Sequence, residues 1–381
     1  MESNNRKVDI LTLPGYFNYG NRLQNYALQE VIKNFSEEVE TLILPKACVQ
    51  SSGTFNKIKK VFSYPLSKTV KVATRKLNNK IRIVRYKGIL DQRENKFKQF
   101  SKKYINEKHI NSFDELKQIA KDTDYFVVGS DQVWNPNYIK HQEQYYFLQF
   151  VEEEKRIAYA PSFGISEIPE DVKPQYKEWL SSIPYISVRE KEGAKIIKQL
   201  TGRDAPVLVD PTLLLTKDEW LKISKVHAYK PSSKYLISYF WGKIPTERKT
   251  LIKQIAKKYN LEIVSIADLK DKKTYISDPS EFIDYINSAS LVLTDSYHGT
   301  IFSILMETPF FVFERIGGHS MYSRIETLLE LTELSGREER DIDLNKEILN
   351  IDFSHVKGIL EKERKKSFDF LSIAMKIEKS K

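Results

Sequence analysis

The sequence holds a single cysteine, Cys48, among 381 residues. That excludes an intramolecular disulfide and any multi-cysteine metal site, and a reducing compartment is the natural setting. No stretch approaches the roughly 20 apolar residues of a membrane span. Met1 to Lys7 lead into a short apolar strand, Val8 to Leu13, rather than the longer apolar core of a secretion signal. The six histidines, His109, His141, His227, His298, His319 and His355, are scattered and form no HExxH pair, so no metal site is expected. A Walker loop and a GxSxG nucleophile motif are also missing, and the turn after the first strand lacks the spaced glycines of a dinucleotide fingerprint. With neither zinc-finger spacing nor an RNP-type aromatic motif, nucleic acid is not an expected partner.

What is present is the composition of a folded chain, 41% hydrophobic and 29% charged, long enough for two α/β domains of ordinary size. The net charge of +10 is concentrated. Eleven basic and no acidic residues lie between Lys57 and Lys87, which leaves the rest of the chain at −1. Ile58, Val61, Phe62, Val70, Leu77, Ile81, Ile83 and Val84 are interleaved with them, the pattern of a cationic amphipathic helix or hairpin. An anionic membrane surface, nucleic acid or an anionic substrate would each suit it, with nucleic acid least supported; a solvated Lys-rich face is the plainer reading.

Short β-branched or aromatic runs alternate with helical patterns. Strands are expected at Val8 to Leu13, Tyr125 to Gly129, Arg156 to Ala160, Ile186 to Val188, Val207 to Val209, Tyr235 to Tyr239, Glu262 to Ile266, Leu291 to Leu293 and Phe310 to Phe313. Helices are expected from about Arg22, at Phe113 to Ala120, near Glu247 to Tyr259, Ser280 to Ser288 and Thr300 to Met306, and as a charged pattern over Asn345 to Lys376. Such alternation predicts a parallel sheet in each half. The boundaries read as an N-terminal domain over 1–203 with a basic insertion at about 57–103, a C-terminal domain over 204–344, and a helical segment over 345–381 that packs at the interface or on the first domain.

Polar residues collect after strands, where α/β sheets bind ligands. His298 falls at a helix start, where free N–H groups and the dipole favour an anion; the plainer alternative makes Ser296 an N-cap and His298 a core residue. Arg189 follows a buried strand and would clamp a carboxylate or phosphate, or else pair with Glu190 or Glu192. Arg324 is a further candidate cation. Asp131 would act as a general base or merely cap a turn; Asp295 carries the same ambiguity, and Asp210, before Pro211, reads as a turn former. Trp134 and Tyr297 would wall a sugar or base, or lie in the core.

Asn18-Tyr19-Gly20-Asn21-Arg22-Leu23-Gln24-Asn25-Tyr26-Ala27-Leu28, Val128-Gly129-Ser130-Asp131-Gln132-Val133-Trp134, Ser187-Val188-Arg189-Glu190, Val209-Asp210-Pro211-Thr212 and Thr294-Asp295-Ser296-Tyr297-His298-Gly299 together resemble, in order, the polysaccharide pyruvyl transferase family. The resemblance covers about residues 8 to 315. It implies two Rossmann-like domains facing across a cleft, similar to a glycosyltransferase B-type fold. It further implies transfer of a pyruvate ketal from phosphoenolpyruvate to two hydroxyls of a sugar in surface-polysaccharide biosynthesis. His298 and Asp131 are then the expected catalytic residues, with Arg189, Arg324, Asn18, Asn21, Arg22, Ser130, Ser296 and Gly299 binding substrate. No cofactor or metal is implied, since phosphoenolpyruvate is the donor substrate. The protein is expected in the cytoplasm, and the acceptor would be a saccharide; a lipid-linked one would place the protein peripherally on the inner face of the membrane. A nucleotide-sugar glycosyltransferase and a non-catalytic scaffold of a polysaccharide assembly complex remain as alternatives.

Overall fold

A computed structural model describes residues 6–45, 66–316 and 322–377, with backbone alone for 66–83. The first sheet has six parallel strands: β1 (Lys7–Leu11), β2 (Glu38–Ile43), β3 (Glu107–His109), β4 (Tyr125–Val128), β5 (Arg156–Ala158) and β6 (Tyr185–Ile186). Their order is β3-β2-β1-β4-β5-β6, with Val8 beside Tyr125 and Leu11 beside Val128. The second sheet holds β7 (Tyr235–Tyr239), β8 (Glu262–Val264), β9 (Leu291–Thr294) and β10 (Phe310–Val312) in the order β10-β9-β7-β8, again parallel. Both are α/β units of Rossmann-like topology. Strands buried on both faces need apolar residues at nearly every position, which is why Leu291-Val292-Leu293 and Phe126-Val127-Val128 read as unbroken runs.

In each sheet the strand order reverses once, between β1 and β4 and between β7 and β9. Crevices at the carboxyl ends of such strand pairs are where open α/β sheets receive ligands. Helix α1 (Tyr19–Ile32) follows β1 and buries Leu23, Ala27, Leu28 and Val31 at helical spacing. Its first residue, Tyr19, stacks on Phe282 of the helix Pro279–Ser288 at 4.4 Å and meets Tyr239 at 6.0 Å, so one aromatic cluster joins the two sheets. Each fully buried ring or aliphatic side chain in this cluster contributes about 1.5–3 kcal/mol.

Helix α2 (Leu66–Tyr104) straps the same junction. The Arg93 guanidinium lies 4.5 Å from the Tyr19 ring and donates to the Tyr19 hydroxyl (2.8 Å), the Phe17 carbonyl (2.9 Å) and the Tyr275 carbonyl. One turn on, Lys96 pairs with Glu281 at 2.9 Å. The C-terminal helix, Val356–Ala374, touches both halves: Phe368 meets Phe35 at 5.7 Å, while Arg364 donates to the Leu213 carbonyl at 2.9 Å.

Several expectations need correction. Val207 forms only an isolated bridge with Val188, because Pro206 and Asp210-Pro211 leave no room for a longer ladder. The helical pattern expected from Asn345 begins at Val356, after turns held by Asp343 and Asp352 side chains. In the basic segment Lys57, Lys59 and Lys60 lie outside the described residues; from Leu66 onward the segment is helix, not hairpin. Among the described residues no helix is long and apolar enough to cross a membrane.

Candidate active site

The β1–α1 turn and the loop after β4 border the first reversal of strand order. Asn18 is the N-cap of α1, accepting from the Asn21 N–H at 3.4 Å. Asn21 in turn donates to the Leu13 carbonyl (2.8 Å) and to Asp131 Oδ2 (3.2 Å), and so ties the two loops together. Asp131 sits at φ 64, a left-handed conformation that Asp tolerates better than most residues, and its carboxylate keeps 12% exposure. Burial opposes its charge, but Arg189, His298, Arg324 and the Asn21 hydrogen bond prevail, holding the carboxyl below its ordinary range.

From the second sheet, Ser296 caps helix α3 (Tyr297–Leu305), with its hydroxyl accepting from the Gly299 N–H at 3.3 Å. His298 is therefore on the first turn of a helix, as the sequence predicts. Its ring lies directly on the backbone of Gly20: a Cβ there would overlap the imidazole. Gly20 is thus what lets the two crevices meet.

Beneath both loops is a buried carboxylate. Asp210 Oδ1 accepts from the Thr212 N–H (3.0 Å) and hydroxyl (2.7 Å), a capping role. Oδ2 faces the site, accepting from Arg189 Nη1 (2.5 Å) and the Ser130 hydroxyl (3.2 Å), and lies 3.5 Å from His298 Nε2. Burial would raise its pKa, but His298, Arg189 and Thr212 hold it far below the carboxylate range. Asp210 is thus more than a turn former: it is Arg189's partner, in place of Glu190 or Glu192. Glu190 turns away, accepting from the Ser162 hydroxyl at 2.9 Å and the Phe163 N–H at 3.0 Å.

Arg189 is buried, and burial alone would weaken its charge; Asp210, Tyr297 and Asp131 hold its pKa above the ordinary value. Its Nε and Nη2 have no hydrogen-bond partner, and Nη2 stands 3.6 Å from Asp131. Arg324, on the helix Tyr322–Leu331, is also buried, with Nε unpartnered. Burial and the Arg189 charge push it down to about 10, which Glu190 and Asp131 only partly offset. Both guanidiniums lie over the Tyr297 ring, at 4.8 and 5.4 Å. The two arginines and Tyr297 line a cavity of about 330 Å³, with Lys191 paired to Glu330 and Lys366 paired to Glu363 at its edge; His298 and Asp131 lie outside its lining. His298 Nε2 has no hydrogen-bond partner either. Buried donors without hydrogen-bond partners cost about 1–3 kcal/mol each, so the four nitrogens on these three residues mark a place suited to an anion.

Not every expected ligand residue has a free group. Arg22 is fully buried and directed at Glu107 (2.5 Å), Asn21 Oδ1 and the Leu13 carbonyl, so it braces Asn21. Asn18, Ser296 and Gly299 act as caps or close-packing positions, since a Cβ on Gly299 would press on Thr294 at 2.7 Å. Trp134 is core, stacked on Phe147 at 5.4 Å. Asp295 accepts from the Trp241 N–H at 2.8 Å and the Gly242 N–H at 2.7 Å. Among the described residues no group of three His, Cys, Asp or Glu side chains is placed to hold a metal.

Among solved structures, the UDP-GlcNAc 2-epimerase from Neisseria meningitidis bound to UDP-GlcNAc is similar over 96% of this chain and 99% of its own, at 10% identity and a TM-score of 0.48. A putative UDP-N-acetylglucosamine 2-epimerase from Listeria monocytogenes is similar over 97% and 91%, at 12% identity and a TM-score of 0.45. The ADP-heptose LPS heptosyltransferase II of E. coli follows at 97% and 98% coverage, 10% identity and a TM-score of 0.34. No curated protein matches the chain in sequence. The polysaccharide pyruvyl transferase model matches residues 18–315, from the cap of α1 through the His298 loop to Arg315, and the chain belongs to that family of transferases.

Proposed function

We propose that the chain transfers pyruvate, as a ketal, from phosphoenolpyruvate to two hydroxyls of a sugar. The observation that carries this reading is Arg189: a buried guanidinium neutralised by Asp210 at one nitrogen, with two others unpartnered. Phosphoenolpyruvate brings a carboxylate and a phosphate, and Arg189, Arg324 and the start of α3 offer donors of the matching charge. His298 would contact the phosphate or move a proton.

The chemistry needs one acid and one base. A proton added to the methylene carbon makes the adjacent carbon electrophilic, and the first sugar hydroxyl adds to it while giving its proton to a base. The second hydroxyl then displaces phosphate at the same carbon, so one hydroxyl proton ends on the new methyl group and one on the phosphate. Asp131 would take the base role, which its ionised and partly solvent-exposed carboxylate supports. Asp210 holds Arg189 in position.

The test is turnover in D₂O with phosphoenolpyruvate and a saccharide acceptor. One phosphate should be released per ketal formed, and the product methyl should carry one deuterium. Release of free pyruvate regardless of acceptor, or consumption of a nucleotide sugar in its place, would count against the proposal.

A further inference from the structure

The loop after β7 is the other side of the second crevice, across from the His298 loop, since β7 and β9 pair with Tyr239 beside Thr294. That loop carries Trp241. Of the four tryptophans, Trp134 and Trp220 are fully buried, Trp179 is half-buried against Phe147 at 5.1 Å, and Trp241 is 43% exposed. Trp241 also follows a strand of the second sheet, at the carboxyl end where α/β sheets receive ligands.

Trp241 is exposed but not loose. Its backbone N–H is held by Asp295 Oδ1 at 2.8 Å, and its ring N–H donates to the Tyr239 hydroxyl at 2.9 Å. The rings of Trp241 and Tyr239 meet edge to face at 6.1 Å. The next residue, Gly242, donates to Asp295 Oδ2, and a Cβ there would press on the Arg315 side chain and the Ile316 carbonyl at 2.9 Å. Every polar atom of the indole is thus satisfied from within, and what faces solvent is apolar ring. The contacts from Trp241 through Tyr239 to Tyr19 lead to the start of α1, where Phe17 is also exposed.

We infer that Trp241 is the stacking platform for the acceptor, and that its ligand is the ring of a pyranose. A fixed aromatic face without free donors suits a ring that is apolar on one side and carries hydroxyls around its edge. The location fits: Asp295 of the His298 loop holds the Trp241 backbone at 2.8 Å, which sets the indole beside the end of that loop. This rests on the pyruvyl transfer reading for the identity of the acceptor, and adds to it the residue that orients the sugar.

The test is ligand-observed saturation-transfer NMR with methyl pyranosides of galactose, mannose, glucose and N-acetylmannosamine, alongside calorimetry of phosphoenolpyruvate. Wild type should transfer saturation to the ring C–H protons of at least one pyranoside. Trp241→Ala should bind it about tenfold more weakly and Trp241→Phe should retain most of the affinity, with phosphoenolpyruvate binding unchanged in both. Equal pyranoside signals from wild type and Trp241→Ala overturn the inference, as does a wild type that saturates none of the panel. Signals from the uracil ring of UDP that vanish with Trp241→Ala would also overturn it, in favour of a nucleobase. Failure of phosphoenolpyruvate to bind wild type would instead count against the donor, leaving the pyranoside result to be read separately.

Discussion

Asp210 and Asp9 show how burial can be turned in opposite directions. Asp210 is fully enclosed yet kept ionised by His298, Arg189 and Thr212, and Arg189 is paired with that charge. Asp9, in the centre of β1, accepts from the Thr123 hydroxyl at 2.6 Å but has nothing at Oδ1, and burial pushes its carboxyl up to about 6 despite Thr123 and Lys7. A carboxyl whose pKa is higher folded than unfolded stabilises the protein most below about pH 4 and loses that contribution as pH rises through about 6. Asp9→Asn should therefore stabilise the fold by up to ~3 kcal/mol at pH 7 and by little at pH 4, as read by denaturant unfolding at the two values. Equal effects at both would mean that folding does not raise the Asp9 pKa. Of the site residues, His298, Asp131 and Arg189 were legible because each follows a strand. The true part of Asp210 was hidden, since Asp before Pro reads as a turn and only the tertiary fold brings Arg189 to its second oxygen.

Among the elements, the meeting of α1 with α3 is decisive. Gly20 is in the first turn of a helix, where Ala would ordinarily be favoured by up to about 1 kcal/mol, the value for a helix interior. Here that gain is opposed by the His298 ring, which occupies the place of the missing methyl. Gly20→Ala is expected to lower the melting temperature and weaken phosphoenolpyruvate binding together. Higher stability with intact binding would show that the histidine has room to move. The sequence announces α1 through Leu23, Ala27, Leu28 and Val31, but nothing in it tells that Gly20 serves a histidine nearly 280 residues away. Strand β3 and the Arg324 helix, by contrast, were passed over. Glu107-Lys108-His109 is polar because it is an edge strand, and edge strands lack the apolar run that marks a buried one.

Over the whole molecule, charge and architecture are separated. The two sheets and the cleft are built by a part of the chain that is nearly neutral, while the positive charge is gathered in and just before α2. At 1.5 Å per residue its 39 residues extend for about 58 Å, and among the side chains described, from Val84 on, the buried ones begin at Arg93 and include Phe97 and Phe100. Val84 is 78% exposed, with Arg85 and Lys87 also open to solvent. We propose that this face docks on an anionic membrane surface, where a lipid-linked acceptor would be found. Each Lys or Arg near such a surface contributes about 1 kcal/mol, so replacing Arg82, Arg85 and Lys87 by Gln should weaken binding to vesicles containing phosphatidylserine by about 100-fold at most. Binding that ignores both the substitutions and the salt concentration would exclude this role.

Calorimetry decides whether the cleft binds phosphoenolpyruvate through Arg189 and His298. Wild type should bind phosphoenolpyruvate and not UDP- or CMP-sugars, and Arg189→Lys and His298→Ala should each bind it at least about tenfold more weakly, because Lys cannot reproduce the forked contact and Ala removes the ring beside Asp210. Binding of a nucleotide sugar with none of phosphoenolpyruvate, or phosphoenolpyruvate binding indifferent to both substitutions, would contradict the account.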